Sequence, residues 1–321
     1  MTFALPIPDI SIWRAGNTGV EGVWQFDSGQ PGRNVLVTAL VHGNEVCGAW
    51  ALKAVLEASV RPVAGRLTLA FCNLAAFDNF DPARHDASRF VDEDMNRLWS
   101  PSKLLGVTQE SRRAAELLPF VHQADWLLDL HSMHEPGEPL LLTGLLPRNL
   151  ALARQLGAPE HVVVDAGHQD GVRLRDFGQF GDAQATDACA LLIECGFHGA
   201  LASKDVALDM VARFLSKSGV APQGNQPGQI PAAWWMPAPK RQTAIKVTDA
   251  VVALTDQLKF AQDWQGLQSV LTAGTEVARD GNTVFVTPYD HCTLVMPSLR
   301  QLRAGVTVVR LAQQLSDGEA L

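Results

Sequence analysis

The sequence predicts an α/β protein followed by a smaller β-rich unit. Three observations carry that reading. Through the first two thirds of the 321-residue chain, short apolar runs rich in β-branched residues and leucine alternate with helical patterns. From residue 221 the stretch APQGNQPGQIPAA concentrates Pro, Gly, Gln and Asn without an apolar period. Beyond it, segments that alternate in the strand manner lie between Gly and Pro turns.

The predicted strands of the first part are 34–41 (NVLVTALV), 66–72 (RLTLAFC), 125–130 (DWLLDL), 140–143 and 188–193 (ACALLI). Each is a run of the kind that a strand buried on both faces requires. The predicted helices are 45–60, 109–122, 147–156 and 204–216, with apolar residues recurring at three- and four-residue spacing. The linker sets an α/β domain at 1–222 and a β-rich domain at 233–321, the latter with predicted strands 243–254, 283–287, 293–296 and 306–311. No fixed-period repeat supports a solenoid.

Composition narrows the function. A hydrophobic content of 47% supports a large core, and no window of about twenty apolar residues or basic leader suggests a membrane span or signal peptide. A cytoplasmic address follows as the expectation. Cys47, Cys72, Cys189, Cys195 and Cys292 show no CxxC spacing and are expected reduced and mostly buried. A net charge of -8 without a dense Lys/Arg run argues against nucleic acid. Arginines nevertheless bunch between residues 84 and 113, which suits a small anionic ligand such as a carboxylate.

In Val41-His42-Gly43-Asn44-Glu45 a strand gives way to a helix, so His42 and Glu45 fall where α/β sheets place functional groups. Imidazole and carboxylate three residues apart can turn toward one point and suit zinc. His131, in Asp129-Leu130-His131-Ser132, is expected at the carboxyl edge of another strand. Two His and one Glu leave a fourth tetrahedral position open, as in a catalytic site with one zinc per chain. Asp129 is a candidate for orienting a ligand. Short patterns such as HxxE also arise by chance, and a strand-end histidine is often structural; the joint setting favours the metal.

Glu194, at the end of Leu192-Ile193-Glu194, is the candidate general base. The loop Ser88 to Arg97 admits two readings. Arg97 and Asn96 can grip a carboxylate while Arg89 stabilises an oxyanion, or the arginines form surface salt bridges with Asp92, Glu93 and Asp94.

These motifs together, VHGNE at 41–45, SRF with DMNR over 88–97, DLHS at 129–132 and IECG at 193–196, resemble the succinylglutamate desuccinylase and aspartoacylase family of zinc carboxypeptidase-like hydrolases. The 86-residue interval from Glu45 to His131 resembles the deacylase branch, since peptide-cleaving relatives separate these ligands more widely. The resemblance implies a mixed β-sheet sandwiched by helices, with a smaller β domain over the active-site mouth. It implies zinc on His42, Glu45 and His131, Glu194 as base, and Arg89, Asn96 and Arg97 on the substrate, a small carboxylate-bearing N-acyl amino acid. The expected reaction is hydrolysis of its amide bond; a metallocarboxypeptidase acting on short peptides is the alternative.

One departure bears on substrate choice. Aspartoacylase-like members carry a further arginine where this chain has Gln184, and Arg175 is the candidate replacement. Tyr289, the single tyrosine, resembles a substrate-facing tyrosine of relatives. His85, His134, His168 and His198 match no ligand position and are read as polar structural residues. The sequence leaves room for a homo-oligomer.

Overall fold

The computed structural model describes residues 2–167 and 170–316, so His168 lies outside the described residues. In chain order the elements are β1 (Val23–Asp27), β2 (Asn34–Ala39), α1 (Val46–Glu57), β3 (Arg66–Phe71), α2 (Leu74–Asp78), α3 (Gln109–Gln123), β4 (Trp126–Met133), β5 (Leu140–Leu142), α4 (Pro147–Leu156), β6 (His161–Val164), β7 (Cys189–Phe197) and α5 (Leu201–Ser218). After the linker come β8 (Thr243–Val252), β9 (Lys259–Phe260), β10 (Ser269–Val270), β11 (Glu276–Asp280), β12 (Thr283–Val286), β13 (Cys292–Val295) and β14 (Thr307–Gln314).

The helices start and stop for local reasons. Thr108 caps α3 by accepting from Ser111 N at 3.1 Å. Helix α4 opens on Pro147 and ends at Gly157, whose φ of 71° only glycine adopts without strain.

The central sheet is mixed and runs β1-β3-β2-β4-β7-β5-β6-β8-β14-β13-β10, with β12-β11-β9 as a separate small sheet. Strands β3, β2, β4 and β7 are parallel neighbours, β5 turns antiparallel to β7, and β6 pairs parallel with β8. Strand alternation then fills both faces. Val35, Val37, Ala39, Leu128, Leu130, Leu191 and Ile193 pack with residues of α1, α4 and α5. Leu36, Leu127 and Ala190 face the other way, toward Leu117 and Val121 of α3. The sheet is therefore sandwiched by helices, as the family resemblance implies.

Two findings differ in detail from the sequence reading. Strands β4 and β7 run on to Met133 and Phe197, so His131 and Glu194 lie within strands and not at their carboxyl edge. The reason is lateral pairing: Leu140 of β5 stands opposite Glu194 and Met133 opposite Phe197, which extends the ladder. The sheet also continues past the linker, because β8 joins β6 and brings β14, β13 and β10 with it. Buried Met133, Leu142 and Leu192 meet Ile245, Val295 and Ala312 there in one apolar cluster. All five cysteines are free and buried. Among the described residues no helix is long and apolar enough to cross a membrane.

Candidate metal centre and surrounding cavity

The site is built on the sheet face toward α3. Beyond β2, Leu40 takes a φ of 57°, a left-handed conformation unusual for leucine, and the chain turns off the strand into His42-Gly43-Asn44. Gly43 is required because a Cβ there would overlap the backbone of Ala76, Phe77 and Ser88. Glu45 occupies the N-cap of α1 but makes no capping hydrogen bond with its side chain. Its carboxylate is directed instead to two imidazoles.

His42 Nδ1 lies 2.7 Å from Glu45 Oε1, and His131 Nδ1 lies 2.8 Å from Glu45 Oε2. All three residues are at most 2% exposed, and one ligand atom from each falls within 4.8 Å of the others. The remaining ring nitrogens are backed by aspartates. His42 Nε2 is 2.9 Å from Asp94 Oδ1. His131 Nε2 is 2.8 Å from Asp129 Oδ2, although the two atoms are off the angle of a hydrogen bond, and Thr38 Oγ1 donates to the other Asp129 oxygen at 2.6 Å.

This donor set fits a divalent zinc. Two nitrogens and a carboxylate are the borderline-hard ligands that zinc takes, and a carboxylate behind each imidazole is the usual orienting arrangement. Charge points the same way. Glu45, Asp94 and Asp129 are buried or nearly so, Arg89 is in ion-pair contact with the first two, and a dication would offset the remaining negative charge.

Glu194 is placed by register: it pairs with His131 across β4 and β7, and period-two alternation puts it on the same face as Leu192. Its Oε2 is buried with no hydrogen-bond partner. Burial, with the Glu45 carboxylate adding to it, pushes the Glu194 carboxyl up to about 8 against the pull of His131 and Arg89. A neutral or poised carboxyl beside a metal-type cluster can move a proton at near-neutral pH.

The arginine loop is held from behind. Buried Glu110 of α3 accepts from Val91 N at 2.6 Å, Asp92 N at 3.0 Å, Glu93 N at 3.3 Å and Asn73 Nδ2 at 3.0 Å. The loop so fixed carries Arg89, whose Nη2 is 3.0 Å from Asp94 Oδ2 and whose Nη1 is 3.4 Å from Glu45 Oε1 and 3.3 Å from His134 Nε2. Asn96 is buried, with Oδ1 accepting from Leu174 N at 2.9 Å, and Arg97 Nε is 3.1 Å from Asp170 Oδ1.

A cavity of about 500 Å³ opens over this face, lined by His42, Glu45, His131, Glu194, Arg89, Asn96 and Arg97 together. Arg175 and Tyr289 are not among its walls. Arg175 is fully buried on Thr143 O at 2.6 Å and beside Asp176, while the Tyr289 hydroxyl shares a 2.7 Å hydrogen bond with Thr248. Gln184 is exposed on a loop. Arg173, Arg310, His134 and Trp264 do line the cavity, and sequence reasoning did not single them out for it. For Arg310, on β14, no local signal exists, since it arrives through strand pairing. His134 also bonds Asp86 Oδ1 at 2.9 Å, and buried His198 takes Ser132 Oγ at 2.8 Å, so these histidines have polar structural partners.

The model of the succinylglutamate desuccinylase/aspartoacylase catalytic domain matches residues 31–207, more than half of the chain. The protein belongs to this family. The succinylglutamate desuccinylase of Burkholderia pseudomallei (strain 1710b) is 28% identical over 324 residues, spanning 92% of this chain and 85% of its own. A probable aspartoacylase of Parasynechococcus marenigrum is 34% identical over 176 residues, 51% of this chain and 53% of its own. Among solved structures, the succinylglutamate desuccinylase of Vibrio cholerae superposes with a TM-score of 0.67 at 18% identity, covering 92% of this chain and 86% of that one. The product-bound ectoine utilization protein EutE (DoeB) of Ruegeria pomeroyi gives 0.59 at 16% identity, covering 88% and 86%. The fold is thus that of the zinc carboxypeptidase-like deacylase family.

Proposed function

We propose that the protein is a zinc-dependent hydrolase that cleaves the amide bond of a small N-acyl amino acid. The observation that carries this is the convergence of the His42 and His131 Nδ1 atoms on the Glu45 carboxylate, with the unpartnered Glu194 oxygen on the adjoining strand position. Family membership supports the reaction class.

His42, Glu45 and His131 would hold the metal, which supplies Lewis acidity toward water and the scissile carbonyl when bound. Glu194 takes the proton from the attacking water and delivers it to the departing amine nitrogen, so one carboxylate serves both steps. Its raised pKa suits the second of them. Arg89, oriented by Asp94, holds the oxygen that becomes negative as the carbonyl is attacked. Arg97 positions the substrate carboxylate, exchanging part of its contact with Asp170, and Asn96 braces that loop through Leu174. In this reading residues 1–222 supply the chemistry and residues 233–321 narrow its entrance. Phe260, Trp264 and Leu299 on the cavity wall support small acylated amino acids over peptides.

The test is a screen of N-acetyl, N-succinyl and N-formyl amino acids against short peptides, with and without chelator, alongside metal analysis. Chelator-sensitive release of an amino acid from an N-acyl compound is expected; release only from peptides would favour the carboxypeptidase instead.

A further inference from the structure

The cavity is charge-balanced. Four arginines line it, and each has an aspartate within ion-pair distance: Arg89 with Asp94 at 3.0 Å, Arg97 with Asp170 at 3.1 Å, Arg173 with Asp176 at 2.6 Å, and Arg310 with Asp165 at 3.0 Å. Glu45 and Asp129 together match a dication. Glu135, also on the lining, is paired with Arg300 at 2.7 Å, and Asp263 adds negative charge. One substrate carboxylate can displace an aspartate from one guanidinium. A second or third would enter with no surplus cation to receive it and would lose its hydration in a partly enclosed space.

Between these charged and polar groups the wall also carries apolar patches. On the same strand face as Glu194 stands Leu192, paired in register with Leu142, and Met133 packs with them; all three are buried and line the cavity. Met296 packs against this cluster, and Phe260 and Trp264 also line the cavity. The Trp264 indole Nε1 already donates to Val277 O at 2.8 Å, so its ring offers the cavity only apolar surface. A volume of about 500 Å³ is larger than an acetylated small amino acid needs and of the size that extended ligands fill.

From these observations we infer that the substrate is an N-acyl amino acid with a single carboxylate and an extended apolar group, and that the polyanionic N-succinylglutamate is discriminated against. The apolar group packs on Leu142, Leu192 and Trp264, and it is either the acyl chain or the amino-acid side chain. The inference rests on the deacylase reading for the identity of the reacting bond, but the charge and surface argument concerns binding alone.

The experiment is titration calorimetry on zinc-loaded protein carrying Glu194→Gln, which removes turnover, with N-acetylphenylalanine, N-hexanoylglycine and N-succinylglutamate as probes. At least one of the two monocarboxylates is expected to bind tenfold or more tightly than N-succinylglutamate, and which one does so identifies the acyl or side-chain source. Adding Trp264→Ala should weaken that ligand roughly tenfold while leaving N-succinylglutamate within twofold. Leu299→Asn, on the less buried rim, is the uncharged second variant should the tryptophan change prevent folding, with the same expected direction. N-succinylglutamate binding as tightly as either monocarboxylate, or no binding by any of the three, overturns the inference. Because no catalysis is read, a wild-type protein inactive on every amide would sink the hydrolase reading separately.

Discussion

Replacing Glu194 with Gln removes a titratable carboxyl without changing shape, and the surroundings of this side chain make the outcome specific. Its Oε2 has no protein partner, so the amide forfeits no hydrogen bond there. As the general base, its loss should lower kcat about 10²- to 10⁴-fold, roughly 3–5 kcal/mol of transition-state stabilisation, while zinc content stays that of wild type. Stability gives an independent reading in metal-free protein. The folded carboxyl sits at about 8 against an ordinary 4.5. The folded state therefore holds a proton that the unfolded state has released, and wild-type stability falls as pH rises between those two values. Glutamine does not titrate, so the stability of the variant minus that of wild type should climb from pH 5 to pH 8, by an order of a few kcal/mol, and level off above it. Thermal melts in chelator at pH 5, 6.5, 8 and 9 measure this. A pH-independent difference would refute the claim that Glu194 is a desolvated carboxyl, and near-normal turnover would refute its role.

Three further outcomes are expected. Arg97→Ala should raise KM about tenfold or more with a smaller change in kcat, as loss of a ground-state carboxylate contact does; steady-state kinetics on one N-acyl amino acid checks it. Glu110→Gln should lower stability by about 1–3 kcal/mol and also reduce kcat/KM, because the carboxylate that gathers Val91, Asp92 and Glu93 N–H groups fixes the loop carrying Arg89; denaturant melts paired with kinetics separate the two effects. Gly144→Ala should destabilise by about 2 kcal/mol or more, since φ is 65° and the new Cβ would collide with the buried Arg175 guanidinium, and a melting curve suffices to test it.

Much of this architecture is legible in the chain because its information is local. The predicted helix at 147–156 coincides with α4, which a proline opens and a left-handed glycine closes. The runs at 34–41, 66–72 and 188–193 mark β2, β3 and β7 because buried parallel strands need unbroken apolar sequence. β1 and β6 escape notice for the opposite reasons. VWQFD is a half-exposed edge strand without a clean pattern, and HVVV is only four residues long. The convergence of His42, Glu45 and His131 is legible from the motifs and their spacing, although His131 lies within β4 and not at its end. The outer cavity is not. Arg173 and Arg175 are two residues apart in one short loop, yet the first lines the cavity while the second is buried on Thr143 O, a difference set by packing. Arg310 reaches the cavity because β14 pairs with β8 and β8 with β6, contacts between residues far apart in the chain, such as Arg310 with Ala250 and His161 with Thr243.

The proposed chemistry requires that one divalent ion be shared by side chains from the α1 N-terminus and from β4. Anomalous diffraction at the zinc edge, on crystals of protein purified without added chelator, is the direct measurement. One peak per chain between the Nδ1 atoms of His42 and His131 and the carboxylate of Glu45, lost in His131→Ala, is the expected result. A metal bound elsewhere, or imidazoles that keep their contacts to Glu45 while excluding zinc at saturating concentration, would contradict it.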